Sequence, residues 1–236
     1  MDKLIRVAQE RVLGIIASCA GRFALAGGTA LELYYLRHRF SADLDFFSPQ
    51  YDAAEIEKIK AHLEKTVKCR LKLETESVVG GRAKVRFYTM PVKGSARPLK
   101  IDFVEDVVIR EPKIREFKGV PVYSAEDIFL HKIAAVCGTR VFEDEMGRKF
   151  MQGRREARDV FDLYVLSKKI CALHTFLARL DGSMQIGMVH WESSFSRQDL
   201  KLGLLDLDIY DPDFNAREMI VYLENEIRSF IKKVAR

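Results

Sequence analysis

Hydrophobic and polar residues follow two different periods along this chain, and the change of period divides the sequence. Apolar residues recur every three or four positions from residue 3 to 19, which predicts an amphipathic helix. Short apolar or alternating runs predict five strands, at 23–26, 43–47, 70–77, 83–90 and 99–104. Helical periodicity predicts the other elements, at 29–37, 53–66, 124–136, 155–168, 171–180 and 215–234.

The order of these elements predicts an α/β (α+β) fold, in which helices flank a small twisted mixed sheet. A helical region follows the sheet, and the boundary is predicted after residue 123, where the strand pattern ends. This division gives an α/β core over 1–123 and a helical region over 124–236. A chain of 236 residues is long enough for one good core and a smaller helical partner.

Composition is that of an ordinary globular protein, with 48% hydrophobic and 31% charged residues. The net charge of +5 permits an anionic partner without requiring one. The four cysteines are scattered and form no CxxC pair, which favours reduced thiols in a cytoplasmic protein. The sequence begins without the continuous apolar segment of a secretory signal, and no apolar run approaches the length of a membrane span. We therefore expect no association with a membrane.

Two aspartates one residue apart, Asp43 and Asp45, are the most informative feature of the sequence. Strand side chains alternate between faces, so both carboxylates share one face while Leu44 and Phe46 pack on the other. Parallel carboxylates repel each other unless a cation lies between them, and Mg²⁺ prefers such oxygen ligands. The pattern favours metal-assisted transfer of a phosphoryl or nucleotidyl group.

A third carboxylate, Asp102, lies on the alternating strand predicted at 99–104. If this strand lies near the strand of Asp43 and Asp45, all three carboxylates meet. Three carboxylates can hold two Mg²⁺ ions, which stabilise the attacking and leaving oxygens of an in-line displacement. The alternative is that these aspartates only mark strand ends that face solvent.

A glycine turn, Gly27-Gly28-Thr29, separates the first predicted strand from a helix. Glycines let the backbone approach a phosphate, and a helix amino terminus favours negative charge. The hydroxyl of Thr29 could also donate to a phosphate oxygen. The turn is neither a Walker loop nor a GxGxxG dinucleotide motif, and a bare GG pair is often only a turn.

These motifs occur in an order that resembles a known family. The run GGTALELYYLRHRFSADLDFF precedes an aspartate on a later strand, then His131-Lys132 and RDVFDLY at 158–164. Over about residues 22–168 this order resembles the AbiEii/AbiGii-type nucleotidyltransferases. They are toxins of bacterial abortive-infection and type IV toxin–antitoxin systems, within the DNA polymerase β-like nucleotidyltransferase superfamily. The resemblance implies a nucleotidyltransferase-like sheet and a helical region that completes the nucleotide cleft.

The resemblance also assigns roles to individual residues. Metal would be bound by three carboxylates: Asp43, Asp45 and Asp102. The triphosphate would be held by the glycine turn: Gly27, Gly28 and Thr29. The helical region would line the nucleotide pocket with Lys132 and Asp159 as catalytic residues, supported by Arg158 and Asp162.

The residues of the helical region also have an ordinary interpretation. Arg155, Arg158, Asp159 and Asp162 fall on one stripe of the predicted helix at 155–168. This stripe either faces the nucleotide or is solvated, with an ion pair between Arg158 and Asp162. The ammonium group of Lys132 either reaches a phosphate or extends from an apolar helix face to water.

The residues just before the acidic pair leave two interpretations open. Arg39 would stabilise charge on the triphosphate or anchor the loop, whereas His38 is expected to have a structural role. Ser41 would hold the loop or contact phosphate. The charged stretch 137–157 would be either an arginine-rich substrate loop or a solvated connection.

The sequence therefore predicts a metal-dependent enzyme that transfers a nucleoside monophosphate from a nucleoside triphosphate to an acceptor hydroxyl. The resemblance suggests RNA as the acceptor, the 3′ end of tRNA first, and a cognate antitoxin as partner. A protein hydroxyl or a small molecule such as an aminoglycoside is an alternative acceptor. A catalytically silent module that binds nucleotide or antitoxin, and a scaffold without a site, are alternatives to the enzyme.

Overall fold

The structure is a computed structural model that describes residues 2–19, 21–77, 83–139, 141–143, 145–147, 149–151 and 153–234. The chain forms two units. The sheet unit contains the residues up to Tyr35 and those from Phe40 to Asp127. The helical unit contains Leu36–Arg39 and the residues from Ile128 onward. The domain limit predicted after residue 123 stays a prediction, and the helical unit also includes a short segment from the first part of the chain.

The described residues of the sheet unit form seven strands of one mixed sheet. The strands are β1 (Ala24–Ala26), β2 (Leu44–Ser48), β3 (Lys72–Ser77), β4 (Val85–Met90), β5 (Leu99–Glu105), β6 (Ile114–Phe117) and β7 (Val120–Tyr123). Their order is β3-β4-β5-β2-β1-β7-β6. Strand β2 pairs parallel to β5, β1 pairs parallel to β7, and the other neighbours are antiparallel. The predicted α/β fold with a mixed sheet is confirmed.

Alternation along β2 and β5 places one face of the sheet in the core. Leu44, Phe46, Ile101 and Phe103 are fully buried, while the residues between them are partly exposed. The ring of Phe103 stacks on Phe46 at 5.6 Å between centroids. Each such buried side chain stabilises the fold by about 1.5–3 kcal/mol. The packing of this buried face fixes the positions of β2 and β5, and therefore of the residues on their opposite face.

Among its described residues, the sheet unit contains the helices α1 (Lys3–Ile16), α2 (Gly27–Ala30) and α3 (Ala53–Val67). The carboxylate of Asp2 caps α1 by accepting from the amides of Leu4 and Ile5, and Asp52 caps α3 in the same way. Helix α2 continues as a π-helical segment, Leu31–Leu36. The helix predicted at 29–37 thus begins earlier, because Gly27 and Gly28 form its first residues instead of a preceding turn.

The helical unit contains α4 from residue 128 onward and five further helices among its described residues. The helices are α4 (Ala125–Cys137), α5 (Ala157–Lys169), α6 (Leu173–Leu177), α7 (Gly182–Ser194), α8 (Arg197–Leu205) and α9 (Ala216–Val234). The apolar face of α9 is buried, as its periodicity predicts. No helix in the described part of the chain is long and apolar enough to cross a membrane.

The stretch 137–157 contains a feature that the sequence pattern does not predict. Within it, β8 (Val141–Glu143) and β9 (Lys149–Met151) pair as an antiparallel hairpin. Arg140 and Arg148, two of the arginines that favoured a substrate loop, lie outside the described residues. The hairpin β6–β7 is likewise absent from the sequence prediction, since Pro121 within β7 weakens the strand signal.

Candidate active site

The register of the sheet brings Asp45 and Asp102 together. The two residues are partners on the adjacent parallel strands β2 and β5. Neighbouring strands lie about 4.8 Å apart, and partners in register point to the same face. Asp43 lies two residues before Asp45, just ahead of β2, and all three side chains are partly exposed. The condition that the strand of Asp102 lies beside that of Asp45 is therefore met.

Gly27 lies directly against this carboxylate pair. Its φ of +67° is in the left-handed region that favours glycine. A Cβ at this position would lie 2.3 Å from Oδ2 of Asp45, closer than a real Cβ contact can be. The preceding residue, Ala26, is the strand partner of Asp45. A side chain at this position would strain the backbone and displace the Asp45 carboxylate, so glycine suits the close approach of the backbone to that carboxylate.

Buried polar contacts fix the loop that leads into β2. The hydroxyl of Thr29 donates to the carbonyl oxygen of Asp43 and lies 3.3 Å from that of Ser41. The Ser41 amide donates to the carboxylate of Glu32 at 2.8 Å, and the Gln9 side-chain amide donates to the Ser41 carbonyl at 2.9 Å. Because a hydroxyl carries one hydrogen, the group expected to donate to phosphate is here engaged with the loop. Gln9 and Glu32 hold the loop, and sequence reasoning missed both.

The donor set of this site fits Mg²⁺. Carboxylate oxygens are its preferred ligands, and Gly27 keeps the space beside Asp45 clear of a side chain. In the part of the chain that the structure describes, no three acidic, His or Cys side chains form a ready-made metal site. Mg²⁺ needs none, since it is usually held by one or two carboxylates with water and substrate phosphates. Asp45 and Asp102, with Asp43 beside them, would hold it.

The helical unit contains a second cluster of charged side chains, built around Asp162. This carboxylate is fully buried and accepts hydrogen bonds from Arg39 Nε at 2.7 Å and Nη2 at 2.8 Å. Nε2 of His38 lies 2.8 Å from Oδ1 of Asp162, and Nζ of Lys132 lies 2.8 Å from Oδ2. Such a two-pronged arginine–carboxylate pair is among the strongest hydrogen-bonded contacts in proteins.

Lys132 connects Asp162 to a second buried carboxylate, Asp159. Its ammonium group donates to Oδ1 of Asp159 at 2.6 Å. Nη2 of Arg154 lies 3.4 Å from Oδ2 of the same carboxylate. The buried cluster therefore contains two carboxylates, Asp159 and Asp162, and two enclosed cations, Lys132 and Arg39, so its charges balance.

The balance of charges decides the protonation states in this cluster. Burial alone would raise the pKa of Asp162, but the charges of Lys132 and Arg39 and the hydrogen bonds from His38 and Arg39 hold it well below its usual range. Burial would likewise raise the pKa of Asp159, and Lys132 and Arg154 lower it. Burial would lower the pKa of Lys132, but the two carboxylates raise it. All three groups are therefore charged at neutral pH.

A ring contact and two backbone contacts also connect the segment Leu36–Arg39 to the rest of the helical unit. The ring of His38 stacks on Phe161 at 5.7 Å, and the amide of Tyr210 donates to the His38 carbonyl at 3.1 Å. Arg39 forms an isolated antiparallel bridge with Ile209. The structural role expected for His38 agrees with these contacts.

Comparison with known proteins identifies the family. The sequence profile described as nucleotidyl transferase AbiEii toxin, type IV TA system, matches residues 13–228. This chain belongs to that family. The resemblance inferred from the ordered motifs is confirmed, and the AbiEii assignment supports nucleotidyltransferase activity.

Two solved structures share the fold of this AbiEii family member. A proposed nucleotidyltransferase from H. pylori has a TM-score of 0.60 and 18% identity, covering 98% of this chain and 95% of its own. JHP933 from Helicobacter pylori has a TM-score of 0.58 and 18% identity, covering 100% of this chain and 94% of its own. The comparison with curated proteins finds no match. At this identity the likeness shows the fold alone.

The residues predicted to line the nucleotide pocket differ from one another in their exposure to solvent. Asp159 and Asp162 are buried, whereas the side chain of Arg158 is 44% exposed and lies 3.9 Å from Glu156. The predicted stripe is wrong in one respect, because α5 begins at Ala157 and Arg155 precedes it. The roles of these residues at a nucleotide stay predictions.

Proposed function

We propose that this chain is a Mg²⁺-dependent nucleotidyltransferase that moves a nucleoside monophosphate from a nucleoside triphosphate to an RNA hydroxyl. The observation that carries the proposal is the register pair of Asp45 and Asp102 beside the glycine backbone of Gly27. Membership of the AbiEii toxin family supports the reaction class. The metal, the acceptor and the residue roles are part of the proposal.

The residues of the sheet unit would act mainly by position. Asp43, Asp45 and Asp102 would hold Mg²⁺ at the edge of the polyphosphate. The bound ion would lower the pKa of the attacking hydroxyl and neutralise charge on the phosphates. The backbone at Gly27 and Gly28 would approach the phosphates. At Gly27 the absence of a side chain also avoids a collision with the Asp45 carboxylate. Positioning and electrostatics account for most of the rate in phosphoryl transfer.

The loop contacts give this site its rigidity. Glu32, Gln9 and Thr29 are all buried and fix the loop through Ser41 and Asp43. A carboxylate that is already oriented loses little freedom when a ligand binds, which lowers the cost of binding. In the helical unit, Lys132 and Asp159 would act on the nucleotide, with Arg158, Asp162 and Arg39 in support.

We propose RNA, with the 3′ end of tRNA as the first candidate, as the acceptor. The net charge of +5 is compatible with an anionic partner, and modification of RNA suits a toxin. Phosphate contacts release counterions, so binding of RNA should weaken steeply as salt rises. A cognate antitoxin is the proposed protein partner.

The test incubates the protein with each α-labelled nucleoside triphosphate, total RNA and Mg²⁺. We expect label in RNA and release of pyrophosphate, and we expect Asp45→Asn to abolish both. The matched control is Glu74→Gln, which removes a carboxylate from the exposed strand β3 of the same sheet. This control should retain wild-type transfer.

Other outcomes separate the alternatives. Triphosphate binding without pyrophosphate release from any acceptor would favour the catalytically silent module. Labelling of a small molecule, insensitive to salt, would favour a small acceptor. Equal transfer by Asp45→Asn and Glu74→Gln would refute the proposed site.

A further inference from the structure

A cavity of about 230 Å³ lies within the helical unit, and its lining residues all belong to that unit. Its apolar wall is formed by Val136 and Cys137 at the end of α4. Trp191 and Phe195 form another wall, and the charged lining residues are Arg154, Arg155 and Asp199. Both arginines are exposed. This volume is below the range of about 300–1,000 Å³ typical of pockets for whole drug-sized ligands. It suits one planar ring system.

The two aromatic rings offer a stacking surface. Trp191 and Phe195 are stacked, with centroids 4.7 Å apart and planes 12° from parallel. Both are partly exposed. The guanidinium of Arg197 lies over the ring of Phe195 at 5.3 Å. Any of the four nucleobases can stack on such an aromatic face, because every base has a π-face.

The two arginines of the lining are held in place by the backbone. A Cβ on Gly153 would lie 2.3 Å from the carbonyl oxygen of Val136 and 2.4 Å from that of Ala135. The next residue, Arg154, donates its amide to Ala135 at 2.7 Å. The backbone at Gly153 and Arg154 therefore packs closely against the end of α4. This contact fixes the backbone positions from which the side chains of Arg154 and Arg155 extend. The side chain of Arg154 remains 61% exposed.

We propose that this cavity binds one unpaired base of an RNA strand, with the flanking phosphates against Arg154 and Arg155. An apolar wall and an aromatic face suit the base, and guanidinium groups suit phosphate oxygens. The choice of RNA rests on the proposed function. Bases inside a duplex are stacked on one another, so only an unpaired nucleotide can enter. The cavity would hold the acceptor strand, and none of its lining residues is among those proposed to hold the triphosphate.

Trp191 allows a direct test because it is the single tryptophan of the chain. The full-length protein is titrated with a short single-stranded oligoribonucleotide, and the tryptophan fluorescence is recorded. We expect saturable quenching by the single strand and none by a duplex at the same phosphate concentration. A nucleoside monophosphate should quench at least tenfold more weakly, because it lacks the flanking phosphates.

Variants separate stacking from charge, with binding of a labelled strand measured by anisotropy. Trp191→Ala should weaken binding at least about fivefold, whereas Trp191→Phe retains an aromatic face and most of the affinity. Arg155→Ala should also weaken binding, and Arg228→Ala, an exposed arginine of the same unit, should not. Circular dichroism confirms that each variant is folded.

Three results would overturn the inference: equal quenching by duplex and single strand, equal affinity of the Ala and Phe variants at position 191, or equal potency of strand and monophosphate. The inference and the proposed function can fail separately. RNA labelling by a protein whose tryptophan does not respond to the strand refutes the cavity assignment alone. Quenching by the strand in a protein that labels no RNA refutes the transfer reaction alone.

Discussion

Replacing Asp162 by Asn should destabilise the helical unit strongly. Asn has nearly the shape of Asp, so the substitution removes the charge and leaves the packing almost unchanged. Asp162 is fully buried and contacts Arg39 twice, at 2.7 and 2.8 Å, and Lys132 at 2.8 Å. After the change, Arg39 loses its carboxylate partner in the cluster. Lys132 keeps Asp159, 2.6 Å away.

The size of the effect follows from the two buried cations that lose the Asp162 carboxylate. Removing one partner of a buried ion pair costs about 3–5 kcal/mol, because the other charge stays out of water without compensation. Lys132 keeps its contact with Asp159, which limits the loss at that side chain. We therefore expect the free energy of unfolding to fall by about 3–5 kcal/mol.

Urea unfolding followed by the fluorescence of Trp191 measures this change. The single tryptophan lies in α7, so its signal reports the helical unit. With a urea slope of about 1–3 kcal/mol/M, the midpoint should fall by at least about 1 M. The matched control is Asp213→Asn, an exposed aspartate of the same unit, which should stay within about 0.5 kcal/mol of wild type. Equal midpoints for the Asp162 and Asp213 variants would show that the buried cluster does not hold the unit together.

Three further predictions concern Gly27 and the buried cluster. Gly27→Ala should reduce nucleotidyl transfer at least about tenfold in the labelling assay, because its Cβ would lie 2.3 Å from Oδ2 of Asp45 at a φ of +67°; wild-type transfer would contradict the close approach. Arg39→Lys should lower the free energy of unfolding by about 1–3 kcal/mol, since lysine cannot make the two-pronged contact; an unchanged urea midpoint would refute this. Stability should also fall in acid. The folded pKa values of Asp159 and Asp162 are lowered, so their contribution is complete above the unfolded aspartate pKa of about 3.9 and is lost as pH falls below it. Urea midpoints measured across this range should decline more in the wild type than in Asp162→Asn.

The sequence alone was sufficient to predict which residues lie on which face of the central strand β2. Alternation alone put Leu44 and Phe46 on the side opposite Asp43 and Asp45, and the burial along β2 agrees. The pairing of Asp45 with Asp102 was stated only as a condition. Strand alternation fixes the face of a residue but not the neighbour of its strand, so the register had to come from the structure.

The partners of Asp162 could not be predicted from local pattern. Helical spacing offered Arg158, four residues earlier, as its ion-pair partner. In the structure Asp162 binds Arg39, 123 residues earlier in the chain. Periodicity reports only neighbours on the same helix, whereas this contact depends on the segment Leu36–Arg39 joining the helical unit. The cavity beside Trp191 was missed for the same reason, since its walls come from distant parts of the sequence.

The central claim is that Asp43, Asp45 and Asp102 form one site for nucleotidyl transfer. Its most direct test is the labelling assay with Asp102→Asn, because this residue reaches the site from a strand distant in sequence. We predict loss of RNA labelling and pyrophosphate release, with a urea midpoint equal to that of the wild type. Wild-type labelling by the folded Asp102→Asn protein would contradict the claim.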